Sequence, residues 1–166
     1  MISPEGKARR FHRGEAAISL LTHSHFSSIF LEKESTNRNL TKENGMEQKF
    51  QIGNDYGSIL WDVEAILKNC SSFPIVEYPT EDLVQVYPFH GDADYAMKTD
   101  TSSPGIIVEL SDDLEMLIDG NHRLFKANKI GQILFRCYYL QEHEQKRFIV
   151  DYDPEIYSGI IDHWHR

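Results

Sequence analysis

The sequence predicts a small mixed α+β domain. Three observations predict it: from residue 46 onward, β-branched and aromatic runs alternate with stretches of helical period; glycines, prolines and acid pairs punctuate them; and no apolar run nears the roughly 18–20 residues of a membrane span. The hydrophobic share of 40% and charged share of 26% are those of a globular chain. Residues 46–166 are enough to bury on the order of two-thirds of their unfolded surface as one domain.

Residues 58–68 have apolar side chains at Ile59, Leu60, Val63, Ile66 and Leu67, which predicts an amphipathic helix with its stripe in the core. Ser58 is its candidate N-cap, Glu64 and Lys68 form an i,i+4 pair, and Asn69 closes it. Residues 73–78 predict a short strand that Pro79 ends. Residues 80–100, with Pro88, Gly91 and many acids, predict a long surface loop holding one short helix. Residues 106–110 and 114–118 predict a hairpin closed at Ser111-Asp112-Asp113. A helix follows over 122–129 with Leu124, Phe125 and Ala127 on its apolar side, and Gly131 ends it. Residues 133–140 predict the longest strand. Asp153-Pro154-Glu155 then opens a last helix whose stripe is Ile156, Ile160, Ile161 and Trp164.

The first 45 residues read differently. They show no sustained period, and polar residues dominate from Ser27 to Gly45. A basic disordered tail is one reading. The other comes from the genetic code: Lys42-Glu43 can be written AAG GAG, a bacterial ribosome-binding sequence, with Asn44-Gly45 as spacer and Met46 as the initiator. Residues 1–45 would then be translated upstream sequence, and 46–166 the single domain. The short apolar run Ala16-Ala17-Ile18-Ser19-Leu20-Leu21 lacks a small-residue cleavage site and does not predict secretion.

Net charge is −9, unevenly shared. Residues 1–45 carry seven Lys/Arg against five Asp/Glu; residues 46–166 carry ten against twenty-one, a net of −11. So acidic a body repels a phosphate backbone, which disfavours non-specific DNA binding and a nuclease role. A small anion can still bind where a local cluster opposes the global field. The two cysteines, Cys70 and Cys137, suit neither a disulfide framework nor a zinc site, and a cytoplasmic setting is expected.

Such a local cluster exists in Asp119-Gly120-Asn121-His122-Arg123. An expected strand delivers the chain to a glycine, which permits a tight turn and close approach of a ligand to the backbone. The expected helix beyond it presents unpaired N–H groups and the positive end of its dipole, a ready anion site. His122 and Arg123 stand in that first turn, where a cation costs about 0.3–1 kcal/mol against the dipole. A bound phosphate reverses the sign, since charge-assisted hydrogen bonds contribute about 1.5–3 kcal/mol each. Lys126 adds a positive group. The plainer alternative is that Asp119 or Asn121 only caps the helix and Arg123 only pairs with an acid such as Asp119.

Residues 104–140 (PGIIVELSDDLEMLIDGNHRLFKANKIGQILFRCYYL), and more loosely 73–83, resemble the ParB/sulfiredoxin-like superfamily. Its members carry a hairpin, a D/G-G-x-H/R-R motif, a helix, a glycine and another strand. The resemblance implies a small mixed sheet with flanking helices and a turn that binds nucleotide phosphates. By position, His122 and Arg123 match the phosphate-contacting pair, Gly120 the close-approach glycine, and Asp119 the acid of the kinase-type motif. Asn121 stands where sulfiredoxins carry their catalytic cysteine, so that reductase chemistry is not expected. The partition proteins append a DNA-binding helical domain; with an acidic chain reaching only to Arg166, a centromere-binding role is not expected either.

These residues predict a nucleoside triphosphate (ATP or CTP, with Mg²⁺) held by Gly120, Asn121, His122, Arg123 and Lys126. Asp119 and His122 are the catalytic candidates if phosphoryl transfer or NTP hydrolysis occurs, and Glu81, Asp82, Asp92 and Asp94 are further candidate acids. A non-enzymatic acidic interaction or antitoxin-like module with a protein partner is the alternative. His163-Trp164-His165 and His90-Gly91-Asp92-Ala93-Asp94 are weaker clusters, read respectively as a solvated helix end and as polar loop. Gly53-Asn54-Asp55-Tyr56-Gly57 lacks dinucleotide-binding spacing.

Overall fold

The computed structural model describes residues 48–164. Residues 1–45, the proposed Met46 start and His165 lie outside the described residues. The class is α+β: a two-stranded hairpin, a four-stranded mixed sheet and short helices against them.

The hairpin joins β1 (Lys49–Asn54) to β2 (Gly57–Asp62) antiparallel. The Asn54 side chain accepts the Tyr56 N–H at 2.9 Å and Gly57 adopts φ 137°, which closes the turn. The glycine-bounded segment 53–57 is therefore a hairpin turn. The helix expected over 58–68 is corrected here, because only its second half is helical, as α1 (Val63–Lys68). Ile59, Trp61 and Val63 are 2%, 0% and 1% exposed, so period two governs burial up to the strand's end. Ile59, Leu60 and Val63 satisfy the helical spacing as well, which is why the stripe misled. Asp62 replaces Ser58 as the N-cap, accepting the Ala65 N–H at 2.8 Å. Glu64 and Lys68 pair at 3.1 Å and Asn69 closes the helix, both as expected.

The larger sheet runs β3 (Ile75–Pro79), β6 (Leu134–Leu140), β4 (Gly105–Ser111), β5 (Leu114–Asp119) in spatial order. The outer pairs are antiparallel and the central β4–β6 pair is parallel. That parallel pair requires a crossover, which α4 (Asn121–Lys129) supplies between β5 and β6. The expected hairpin, helix and final strand are all present. The stretch expected to hold one short helix holds two, α2 (Thr80–Val86) and α3 (Ala93–Ala96).

Period two divides the sheet into two faces. Ile107, Leu117, Phe135 and Cys137 point to one face and pack under α2 and α4 through Leu83, Leu124 and Ala127. Ile106, Val108, Leu110, Met116 and Ile118 point to the other, beneath β2 and α6 (Pro154–Trp164). Asp153 caps α6 by accepting the N–H groups of Glu155 and Ile156, as its Asp-Pro-Glu signature predicts. Gln145, at the end of α5 (Glu142–Gln145), is fully buried and satisfied. Its Oε1 accepts Trp61 Nε1–H at 2.7 Å, and its Nε2 donates to Tyr157 Oη at 2.8 Å. Tyr157 Oη in turn donates to the Leu110 carbonyl at 2.8 Å. No helix among the described residues is long and apolar enough to cross a membrane.

Candidate functional site

The sheet face under α2 and α4 delivers β5 to the Asp119–Arg123 turn. Gly120 has φ 107°, a left-handed conformation that favours glycine. Space demands glycine as well: a Cβ here would lie 2.9 Å from Gly105 Cα. A Cβ on Gly105 would lie 2.9 Å from the Asp119 carbonyl oxygen and 3.0 Å from the Phe135 ring. Two glycines from neighbouring strands thus press backbone on backbone beneath the turn.

Gly120 is the N-cap of α4 and its carbonyl accepts the Leu124 N–H at 2.8 Å, but no side chain caps the helix. The capping roles considered for Asp119 and Asn121 are therefore not found. Instead Asp119 Oδ2 accepts from Arg123 Nη2 at 2.7 Å, and Asp119 Oδ1 accepts from Gln48 Nε2 at 3.1 Å. The Asp119–Arg123 pair is largely enclosed, its side chains 15% and 20% exposed. Two polar atoms in the turn are buried without a partner among the described residues: Arg123 Nε and Asn121 Oδ1. An orphaned buried polar atom costs about 1–3 kcal/mol, and native structures carry few.

His122 stands at the centre of an aromatic notch. Its ring meets Phe89 edge-on at 5.4 Å and Tyr95 edge-on at 5.1 Å, while Phe89 stacks on Phe125 at 4.2 Å. Gly91 closes the notch, since a Cβ there would lie 2.9 Å from His122 Nε2. Burial pushes the imidazole pKa below its ordinary value; Asp119 and Asp92 oppose that shift and Arg123 adds to it. Lys126 donates from Nζ to the Thr99 carbonyl at 2.5 Å. Next to it, Asp100 is held below the usual carboxylate range by hydrogen bonds from the Ser102 side chain and backbone, with smaller contributions from Lys126 and Arg123.

Of the candidate acids, Asp119 is in the turn and Asp92 is near enough for His122 to feel it, with Asp92 Oδ1 accepting the Tyr95 N–H at 3.0 Å. Glu81 and Asp82 occupy the first turn of α2, and Asp94 that of α3. The His90–Asp94 segment is thus a wall of the notch rather than plain loop, through Gly91 and Asp92. His163 packs its ring on Tyr56 at 5.9 Å, and no group of three metal-ligating side chains occurs among the described residues. Beneath the turn, burial pushes the Cys137 thiol up to about 12, so it stays protonated.

Gln48, Phe89, Tyr95, Thr99, Asp100 and Gly105 also belong to this site, and sequence reasoning missed them. Gly105, directly after Pro104 at the head of a β-branched run, carried a signal: a glycine at a strand start often marks close backbone approach. The others arrive from distant segments of the chain and carry no local pattern. Comparison of the chain with protein-family models, curated proteins and solved structures returned no significant match.

Proposed function

We propose that the turn at 119–123 binds the phosphates of a nucleoside triphosphate, in a domain of the ParB/sulfiredoxin-like kind working in the cytoplasm. The observation that carries this reading is the uncapped N-terminus of α4 beside Arg123, whose Nε is buried without an acceptor. A phosphate oxygen supplies that acceptor and also meets the N–H groups of the first helical turn. Gly120 lets the phosphate reach the backbone. His122 donates from the notch wall, and Lys126 adds positive charge from the next helical turn.

Asp119 then acts by position. Both its carboxylate oxygens are engaged, one by Arg123 and one by Gln48, which holds the guanidinium on the ligand side. Mg²⁺ accompanying the nucleotide would supply charge neutralisation between phosphates. On the protein side Asp92 suits it, because only one Asp92 oxygen is engaged by the Tyr95 N–H. If a phosphoryl group is transferred to water or to a hydroxyl, an acid of the notch such as Asp92 or Asp94 takes the nucleophile's proton while the nucleoside diphosphate leaves, and His122 and Arg123 neutralise the phosphates. The second reading, a protein-binding module without turnover, draws on the −11 charge of residues 46–166 and on the full engagement of Asp119.

The test is a thermal-shift panel on the full chain with ATP, CTP, GTP, ADP and inorganic phosphate, each with and without Mg²⁺. A ligand at about 100 times its Kd adds roughly 2.7 kcal/mol, a shift of several degrees. The expected result is a shift with a triphosphate that vanishes in His122→Ala/Arg123→Ala. No shift with any of them overturns the phosphate reading and favours the module.

A further inference from the structure

We propose that the bare half of the larger sheet is a self-complementary interface at which two copies of this chain associate. The face that β2 and α6 cover over β4 and β5 is left largely open over β3 and β6, where only Tyr138 of the outward residues is half-buried against the core. Period two and the antiparallel ladder set six residues there in three rows: Ile75 opposite Tyr138, Glu77 opposite Arg136, and Pro79 opposite Leu134. Ile75 and Leu134 are each 43% exposed, and the adjoining Ile133 is 81% exposed, the most exposed large apolar side chain among the described residues. Glu77 and Arg136 are exposed as well, and neither has an ion-pair partner among the described residues.

Charge selects both the occupant and its orientation. Residues 46–166 sum to −11, so two copies repel over most of their surface. This patch is neutral, with one acid and one base side by side between apolar rows. A two-fold axis parallel to the strands and midway between β3 and β6 sets Glu77 over the partner's Arg136, and Arg136 over the partner's Glu77. The same operation sets Ile75 over the partner's Tyr138 and Pro79 over the partner's Leu134. An axis across the strands would instead oppose Glu77 to the partner's Glu77, at an energetic penalty. Only the first arrangement matches apolar with apolar and acid with base together, which is what an isologous interface requires. Face-to-face sheet packing within about 30° of alignment accommodates it.

Sedimentation velocity on the full chain, from about 1 to about 200 µM, tests this interface. The expected result is a concentration-dependent species of twice the chain's mass. Glu77→Arg alone and Arg136→Glu alone each weaken it at least tenfold, and the two together restore it. Leu134→Asp also disperses it, with the circular-dichroism melt confirming that each variant is folded. A chain that stays monomeric throughout the range overturns the proposal. So do single reversals that leave association unchanged, or a double reversal that fails to restore it.

Discussion

The strand β5 carries a carboxylate near each end, and the two ends solve opposite problems. Asp119, at its C-terminal end, is enclosed with a cation at 2.7 Å. Glu115, four residues and roughly 13 Å earlier, has no ion-pair partner among the described residues and lies directly opposite Glu109 in the ladder. Its partners are phenols. Tyr78 Oη donates to Glu115 Oε2 at 3.1 Å, and Tyr139 Oη donates to Glu109 Oε1 at 3.2 Å. Much of Glu115 is exposed along the strand, yet its carboxylate is wrapped locally by these rings. That local burial, with help from Glu109, raises its pKa above the usual carboxylate range although the Tyr78 hydroxyl hydrogen-bonds it. A polar cluster is therefore not in itself a ligand site. At the Glu115 end the hydroxyl donors are spent on carboxylates; at the Asp119 end a buried donor, Arg123 Nε, is still without an acceptor.

The largest effect that sharpens this contrast is expected at Gly120. Gly120→Val puts a branched residue at φ 107° and drives its Cβ into Gly105 Cα. Strain and clash together cost about 3 kcal/mol, which lowers Tm by roughly 10 °C in a thermal melt. Next is Arg123→Ala, which removes the orphaned donor. It should weaken triphosphate binding by about 10- to 100-fold, as expected for loss of a charge-assisted bond, and titration calorimetry reads this directly. Glu115→Gln should leave that affinity unchanged. If Glu115→Gln weakens binding as much as Arg123→Ala does, the two ends are not functionally distinct.

Smaller effects lie in pH. The depressed His122 pKa means that the unliganded fold is favoured above the unfolded value of about 6.5 and loses stability as pH falls through the folded value. A bound phosphate favours the imidazolium, so binding takes up a proton and affinity should rise as pH falls from about 8 to about 6.5. His122→Gln should flatten that slope. The smallest effect belongs to Glu115. A carboxyl whose folded pKa is raised stabilises the fold only below its unfolded pKa, and this contribution is lost as pH rises through the folded one. Glu115→Gln should accordingly raise Tm slightly at pH about 8, and the gain should disappear near pH about 4.

Legibility followed the range of the interactions. The elements from Gly105 onward could be read because hairpin, glycine, helix and final strand each carry a local signature. The turn itself was visible as a run of letters, and the Asp119–Arg123 pair was foreseen as the plainer alternative to a ligand. The region from Ser58 to Asp62 misled because its apolar pattern fitted both periods, and the choice was made by the packing of Ile59 and Trp61 in the core shared with α6. Of the notch around His122, only the His90–Asp94 cluster is visible in the sequence, and there it reads as polar loop. Phe89 and Gly91 come from a loop and Tyr95 from α3, some thirty residues away, and nothing local to His122 announces them.

The buried Gln145 relay has a consequence for how the molecule opens. It bonds β2 through Trp61, and α6 through Tyr157, while Tyr157 reaches the Leu110 carbonyl in β4. Lifting the small hairpin away strands a buried amide, so the hairpin does not fray independently of the larger sheet. Amide protons in β2 and in β4 are thus expected to exchange with solvent through one shared opening, at one free energy, and Gln145→Leu to let the hairpin exchange first.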